Sequence, residues 1–271
     1  MTQPAILTAA LTGPIARKRD NPNLPCSPEE IAASAREAHA AGAAIVHVHL
    51  RDEDGEPTAR LDIAERVVGL IGERCQALIQ LSTGVGLDVP YDERMRLVEC
   101  RPAMATLNVC SMSFGAGEFR NPPEGVRRLA ARMRELEIKP ELELYDTGHL
   151  ETAMRLLDEG LLEEPLQFSL VLGVAGGMAA TPANLVHLVA QLPPGSHWQV
   201  IAIGRANVGM TAVGLAMGGN ARTGLEDTLL LRRGEPAQGN GQLVERLAAI
   251  AAAIERPVAG VVEARGILGL G

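Results

Sequence analysis

The stretch Ala44-Ile45-Val46-His47-Val48-His49-Leu50-Arg51-Asp52 decides how the chain folds and where its chemistry gathers. Its apolar, β-branched run predicts a buried strand. Side chains alternate faces along a strand, so His47 and His49 share one face while Val46, Val48 and Leu50 take the other. The two histidine Cα atoms are then roughly 6.5 Å apart. Their rings can converge on one metal ion at about 2.0–2.1 Å from each nitrogen. Two polar rings in an apolar strand cost stability unless something satisfies them. A bound metal would do so, and so would a hydrogen-bonded core. The choice needs partners from elsewhere in the chain.

Outward from this stretch, short apolar runs alternate with helix signals. Residues 5–10 form a strand that stops at Thr12-Gly13-Pro14, and Ser27-Pro28-Glu29-Glu30 opens a helix with a serine cap, a proline at the first position and a glutamate at the third. Further strands are expected at 77–81, 104–107, 139–145, 166–172, 198–203 and 220–223. Helices are expected at 28–41, 62–74, 91–99, 123–137, 147–159, 181–191, 210–217, 241–255 and 263–268, with a loop around 111–121. Regular βα alternation implies parallel strands. Eight such units imply a closed (β/α)8 TIM barrel, with residues 1–271 as a single domain. A doubly wound open sheet is the alternative, weakened because no Gly-x-Gly-x-x-Gly follows the first strand. The glycine-rich run after Leu172 lacks a Walker lysine and reads as a tight turn at the barrel mouth.

Composition narrows the function classes. The chain has 271 residues, 46% of them hydrophobic, and a net charge of −8 with six aromatic side chains. Nucleic-acid binding needs a basic footprint and stacking platforms, so it is not expected. No run approaches the ~20 apolar residues of a membrane helix, and no positive region precedes an apolar stretch at the start of the chain. Cys26, Cys75, Cys100 and Cys110 form no Cys-x-x-Cys pair and read as reduced thiols of a cytoplasmic protein.

In barrels of this kind the active site lies at the carboxyl ends of the strands, and the polar residues crowd there. They are Thr12, then His47 and His49, then Ser82 and Thr83, then Thr106 and Asn108. Glu141 and Glu143 share one face of the fifth strand, and Arg222, Glu226 and Asp227 follow the eighth. An inward carboxylate needs a cation, a donor or a metal. Ser82, Thr83 and Gly84 offer hydroxyls and backbone donors suited to a carboxylate or an oxyanion. One acid of the Glu226-Asp227 pair could complete a His/His/Glu metal site with an open position, leaving its neighbour as a general base. Among the other histidines, His39 and His187 fall on helices, His149 suits a capping role, and His197 lies toward the far side of the barrel.

These stretches, taken in order with Asn21-Pro22-Asn23-Leu24-Pro25, Val171-Leu172-Gly173, Gly176-Gly177-Met178, Gly204-Arg205 and Gln242-Leu243-Val244 after Asn240, resemble the β-keto acid cleavage enzymes over essentially the whole chain. The resemblance implies a zinc-dependent (β/α)8 barrel, a homotetramer, in which a β-keto acid and acetyl-CoA give acetoacetate and a new acyl-CoA. It implies zinc ligands at His47, His49 and Glu226, and substrate contacts at Ser82 and Thr106. It also implies a catalytic Arg222–Asp227 pair and a strand-five glutamate at Glu143. Zinc would polarise the keto oxygen, Asp227 would take the α-proton beside Arg222, and no nucleophilic side chain is required.

Two positions depart from the family pattern. Where the member acting on 3-keto-5-aminohexanoate carries a glutamate that grips the substrate ammonium, this chain has Ile15. A neutral or apolar β-keto acid is therefore expected, while Arg17 and Arg19 leave a dicarboxylate open. Val85 stands where a second glycine is usual and narrows the expected pocket. The rival readings are a metal-dependent hydrolase or C–C lyase on the same barrel without coenzyme A, and an inactive metal-binding scaffold. Hydrolases with His-x-His place it on the first strand and draw histidines from later ones, a pattern absent here.

Overall fold

A computed structural model describes residues 3–271, so the first two residues of the expected 1–271 unit lie outside it. Eight parallel strands run in chain order: β1 (Leu7–Ala10), β2 (Ile45–Val48), β3 (Leu78–Leu81), β4 (Met104–Asn108), β5 (Lys139–Leu144), β6 (Gln167–Leu172), β7 (His197–Ala202) and β8 (Asn220–Thr223). Each pairs with the next, and β8 returns to β1 through Leu7↔Ala221, Thr8↔Arg222 and Ala9↔Thr223, closing the barrel. The expected (β/α)8 TIM barrel is the fold observed.

The helices are α1 (Pro28–Ala40), α2 (Leu61–Arg74), α3 (Tyr91–Arg94), α4 (Pro123–Glu135), α5 (Thr147–Asp158), α6 (Pro182–Val189), α7 (Asn207–Ala216), α8 (Asn240–Ala253) and α9 (Val261–Leu268). At the start of α1, Ser27 Oγ accepts from Glu30 N at 3.3 Å and the Glu30 carboxylate accepts from Ser27 N at 3.1 Å. This reciprocal cap contributes about 1 kcal/mol. The buried face of α1, Ile31, Ala32, Ala35 and Ala38, packs with Ala9, Val46 and Val48 of the first two strands. On the opposite side, Leu142, Leu144, Leu170 and Leu172 pack with Leu129, Met133, Ala153 and Leu156 of α4 and α5. Truncating a fully buried Phe168 in that cluster to alanine would cost about 3–5 kcal/mol. Among the described residues, no helix is long and apolar enough to cross a membrane.

Three segments differ from the sequence expectation. Residues 91–99 are not one α-helix: α3 gives way to a 3₁₀ turn, Met95–Cys100, and Arg101 turns left-handed at φ 49°. Pro102 disfavours helical backbone in the residue before it, so the chain tightens and stops. The loop expected around 111–121 contains an antiparallel hairpin, Met112–Phe114 with Gly117–Phe119, turning at Gly115 with φ 61°. A second hairpin joins Leu230–Arg232 to Glu235–Pro236.

The alternation that sends leucines outward sends polar side chains inward. Glu141 is fully buried inside the barrel, accepting hydrogen bonds from Ser169 Oγ and Gln199 Nε2. Gln199 also donates to Ser169 Oγ at 2.9 Å. Burial raises the Glu141 carboxyl, and the neighbouring Glu143 adds to that. This polar floor underlies the mouth where the next residues along each strand converge.

Candidate active site

Register carries His47 to its first partner. His47 on β2 pairs with Gln80 on β3, and its Nδ1 donates to Gln80 Oε1 at 2.8 Å. In the neutral ring this donation leaves the lone pair on Nε2, and that atom is buried with no hydrogen-bond partner. His49 stands beside it, ring centroids 5.3 Å apart. The Glu226 carboxylate closes the group: its Oε2 is 3.4 Å from His47 Nε2 and its Oε1 is 3.5 Å from His49 Nε2. All three donor groups lie within 4.8 Å of one another.

This donor set fits a divalent metal. His47 Nε2 and Glu226 Oε2 are buried and orphaned side by side, an arrangement that costs free energy unless a cation sits between them. Two imidazoles and one carboxylate match the ligands of catalytic zinc sites with an open position. Burial drives His49 toward the neutral, ligating form. At His47 the same pull is outweighed by Glu226. Burial alone would lift the Glu226 carboxyl, but Arg222 and the two imidazoles hold it well below the usual range.

Glu226 reaches this place because the backbone makes room. A Cβ on Gly13 would lie 2.5 Å from Glu226 Cγ. Gly224, at φ 150°, passes so close to β1 that a Cβ would lie 2.0 Å from the Ala10 carbonyl oxygen. Asn240 then pins the loop: its Oδ1 accepts from Leu225 N at 2.8 Å, and its Nδ2 donates to Leu11 O at 2.9 Å and Ser34 Oγ at 2.8 Å. Arg51 braces the same rim from below, donating to Thr12 Oγ1 at 3.3 Å, Gly55 O at 2.7 Å and Ala16 O at 2.7 Å. Thr12 is thereby committed to structure.

Arg222 stands beside the cluster with its fork divided. Nε donates to Asp227 Oδ2 at 3.0 Å, and Nη2 donates to Asp227 Oδ1 at 2.7 Å and Glu226 Oε1 at 2.8 Å. Nη1 is buried with no partner. Burial opposes the guanidinium charge, but the two carboxylates outweigh it and keep Arg222 protonated. Burial raises the Asp227 carboxyl above its ordinary value against the pull of Arg222.

On the facing wall, Glu143 accepts from the Tyr145 hydroxyl at 3.1 Å. Burial and Glu143 push that phenol well up, so it stays a donor. Ser82 Oγ accepts from Gly84 N at 3.2 Å. Thr83 and Thr106 are bound to each other: Thr83 N donates to Thr106 Oγ1 at 2.9 Å, and Thr83 Oγ1 donates to Thr106 O at 2.8 Å. Asn108 is buried with its Oδ1 unpartnered.

A cavity of about 660 Å³ opens over this group, and His49, Ser82, Gly84, Glu143, Arg222 and Glu226 contribute to its wall. His47, Thr83, Thr106, Asn108 and Asp227 do not. Thr106 therefore fixes the Ser82-Thr83-Gly84 turn, and Asp227 holds Arg222 from outside the wall.

Four contributors escape sequence reasoning. Gln80 was visible as the polar residue of Leu78-Ile79-Gln80-Leu81, but only register ties it to His47. Tyr145 continues the inward alternation of Glu141 and Glu143. Phe114 and Phe119 reach the cavity from the hairpin, whose Gly115-Ala116 turn was the available signal. His149 lies next to the wall, its Nδ1 accepting from Tyr145 N at 3.3 Å.

Comparison with known proteins places this arrangement. The model of the beta-keto acid cleavage enzyme family matches residues 4–270. The chain is 39% identical over 267 residues to a 3-keto-5-aminohexanoate cleavage enzyme of Acetoanaerobium sticklandii, covering 98% of both proteins. It is 37% identical over 274 residues to a 3-oxoadipate:acetyl-CoA acetyltransferase of Cupriavidus necator, covering 100% of this chain and 96% of that one. The solved apo structure of ObcA superposes with a TM-score of 0.80 at 21% identity, covering 92% of this chain and 66% of ObcA, a likeness of fold.

Proposed function

The chain belongs to the beta-keto acid cleavage enzyme family, and from that premise we propose that it is an acyltransferase joining a β-keto acid to acetyl-CoA and releasing acetoacetate and a new acyl-CoA. The observation that carries the reading is the buried His47–His49–Glu226 donor set opening on one cavity with Arg222 and Ser82. Zinc is the proposed ion; held by His47, His49 and Glu226 it supplies Lewis acidity toward a keto oxygen and makes the neighbouring C–H more acidic.

The residues of the chain do the rest. Arg222 offers its unpartnered Nη1 to the substrate carboxylate. Ser82 Oγ, already accepting from Gly84 N, has its own proton left to donate to a substrate oxygen. Asp227, behind Arg222 and off the cavity wall, takes the α-proton once that guanidinium turns to the substrate carboxylate. Burial raises the Asp227 carboxyl above the ordinary value, which makes the carboxylate a stronger base than a solvated aspartate. The α-carbon then bonds to the acetyl carbonyl carbon as the coenzyme A thiolate leaves. That thiolate attacks the original keto carbon, the bond from this carbon to the α-carbon breaks, and acetoacetate recovers the proton. Glu143 is the second carboxylate within reach, and its place on the wall favours it as a competing base. We take the protein to work as a cytoplasmic homotetramer, and sedimentation velocity tests the assembly.

Incubation with acetyl-CoA and mixed β-keto acids, read by mass, tests the proposal. New acyl-CoA and acetoacetate in equal amounts are expected, lost on chelation and restored by zinc. Cleavage without acetyl-CoA would favour a lyase or hydrolase instead.

A further inference from the structure

What the keto acid carries beyond its keto group is written in the charges of the cavity wall. Resting on the acyl-transfer reading, we propose that the acyl chain is uncharged and apolar.

The wall has two guanidinium groups. Arg222, at the donor cluster, keeps one buried nitrogen free and so serves the carboxylate that every β-keto acid has. Arg17 is spent: its Nη2 lies 2.6 Å from Glu56 Oε2 and its Nη1 donates to Gly55 O at 3.1 Å. Glu56 lines the same wall, so the pair presents no net charge to a ligand. Arg19 is not part of this wall. A second substrate carboxylate would therefore meet a neutralised pair, with Glu143 and Asp88 as like charges.

An ammonium fares no better. Glu56 holds Arg17, Glu226 holds Arg222 and the imidazoles, and Glu143, beside Tyr145, stands with the reacting groups as the competing base rather than at the chain end. Asp88 lies on the exposed rim. The remaining wall is apolar: Leu87, Val89, Phe114, Phe119, Val174 and Ile203. Phe114 packs edge-on to Phe119 and Tyr145 at 6.0 and 6.1 Å between centroids. Gly115 N donates to Ala175 O at 2.9 Å, fastening the hairpin to the loop after β6 and fixing this lining. A charged chain end seated there would lose its water without gaining a partner. Each methylene seated there gains about fourfold in affinity.

Calorimetry with 3-oxohexanoate, 3-oxooctanoate, 3-oxoadipate and 5-amino-3-oxohexanoate, without acetyl-CoA, tests the proposal on the intact protein loaded with zinc. The apolar acids are expected to bind at least tenfold tighter than both charged ones. In Glu56→Gln, which releases Arg17, the affinity of 3-oxoadipate relative to 3-oxohexanoate is expected to rise at least fivefold. A charged acid binding as well as the apolar pair overturns the proposal, as does no relative gain for the diacid in E56Q. An amino acid lead that disappears in Asp88→Asn overturns it too, by making the rim acid an ammonium site. The same acids with acetyl-CoA test the reading beneath: apolar preference in binding with no acyl-CoA formed would leave the specificity standing and remove the acyl transfer.

Discussion

His47 on β2 donates its Nδ1 proton to Gln80 Oε1, its register partner on β3, across 2.8 Å. One hydrogen bond thus sets both the tautomer and the swing of a ring whose other nitrogen belongs to the ion cluster. Such supporting bonds contribute about 10–100-fold to metal affinity. Gln80→Leu is expected to raise the metal dissociation constant by that factor in chelator competition. Gln80→Glu keeps an acceptor and should stay within a few-fold of the parent. Equal affinity in Q80L would mean that packing alone orients the ring.

Gly13 should be as sensitive as any ligand although it donates nothing. A methyl group there meets Glu226 Cγ at 2.5 Å, a separation side chains do not sustain. Gly13→Ala is expected to displace the carboxylate, weakening metal binding at least tenfold while leaving the far-ultraviolet dichroism of the barrel intact. Unaltered metal binding in G13A would mean that the loop after β8 yields freely.

The two candidate bases can be separated without the full reaction. Exchange of the α-hydrogen of a β-keto acid in heavy water reads proton removal alone. Asp227→Asn is expected to slow enzyme-dependent exchange by about 10²–10⁴-fold. Glu143→Gln, which keeps a partner for Tyr145, should slow it far less. The reverse order would give the proton to the carboxylate on the cavity wall.

Arg222 balances two buried acids, so its loss should register in stability as well as rate. Arg222→Met leaves the Asp227 side chain, with no exposed surface, and the nearly buried Glu226 without their cation. Breaking a buried pair from one side costs about 3–5 kcal/mol, to be read from urea unfolding of the metal-free protein. Loss of turnover with no change in the unfolding midpoint would confine Arg222 to substrate binding.

The barrel was legible because periodicity states it: apolar runs of strand length, each followed by a capped helix, leave few other closures. The convergence of His47, His49 and Glu226 was legible from alternation together with the ordered motifs. Register was not. Nothing in Leu78-Ile79-Gln80-Leu81 says which residue faces His47, because pairing is a property of two strands. Thr106 and Asp227 illustrate the same limit: residue type and strand position mark them as polar and inward, yet partners taken up by Thr83 and Arg222 keep them off the wall. The hairpin at Met112–Phe119 was hidden by its brevity, since three-residue strands offer little alternation to read.

Two of the three candidate metal donors come from the end of the second strand and the residue just after it, and the third follows the eighth, beyond the seam where β8 rejoins β1. A chain emerging from the ribosome therefore displays its histidine pair long before the matching acid exists. If this set holds the proposed ion, loading must wait for ring closure, so occupancy would report that β8 has been made and docked against β1.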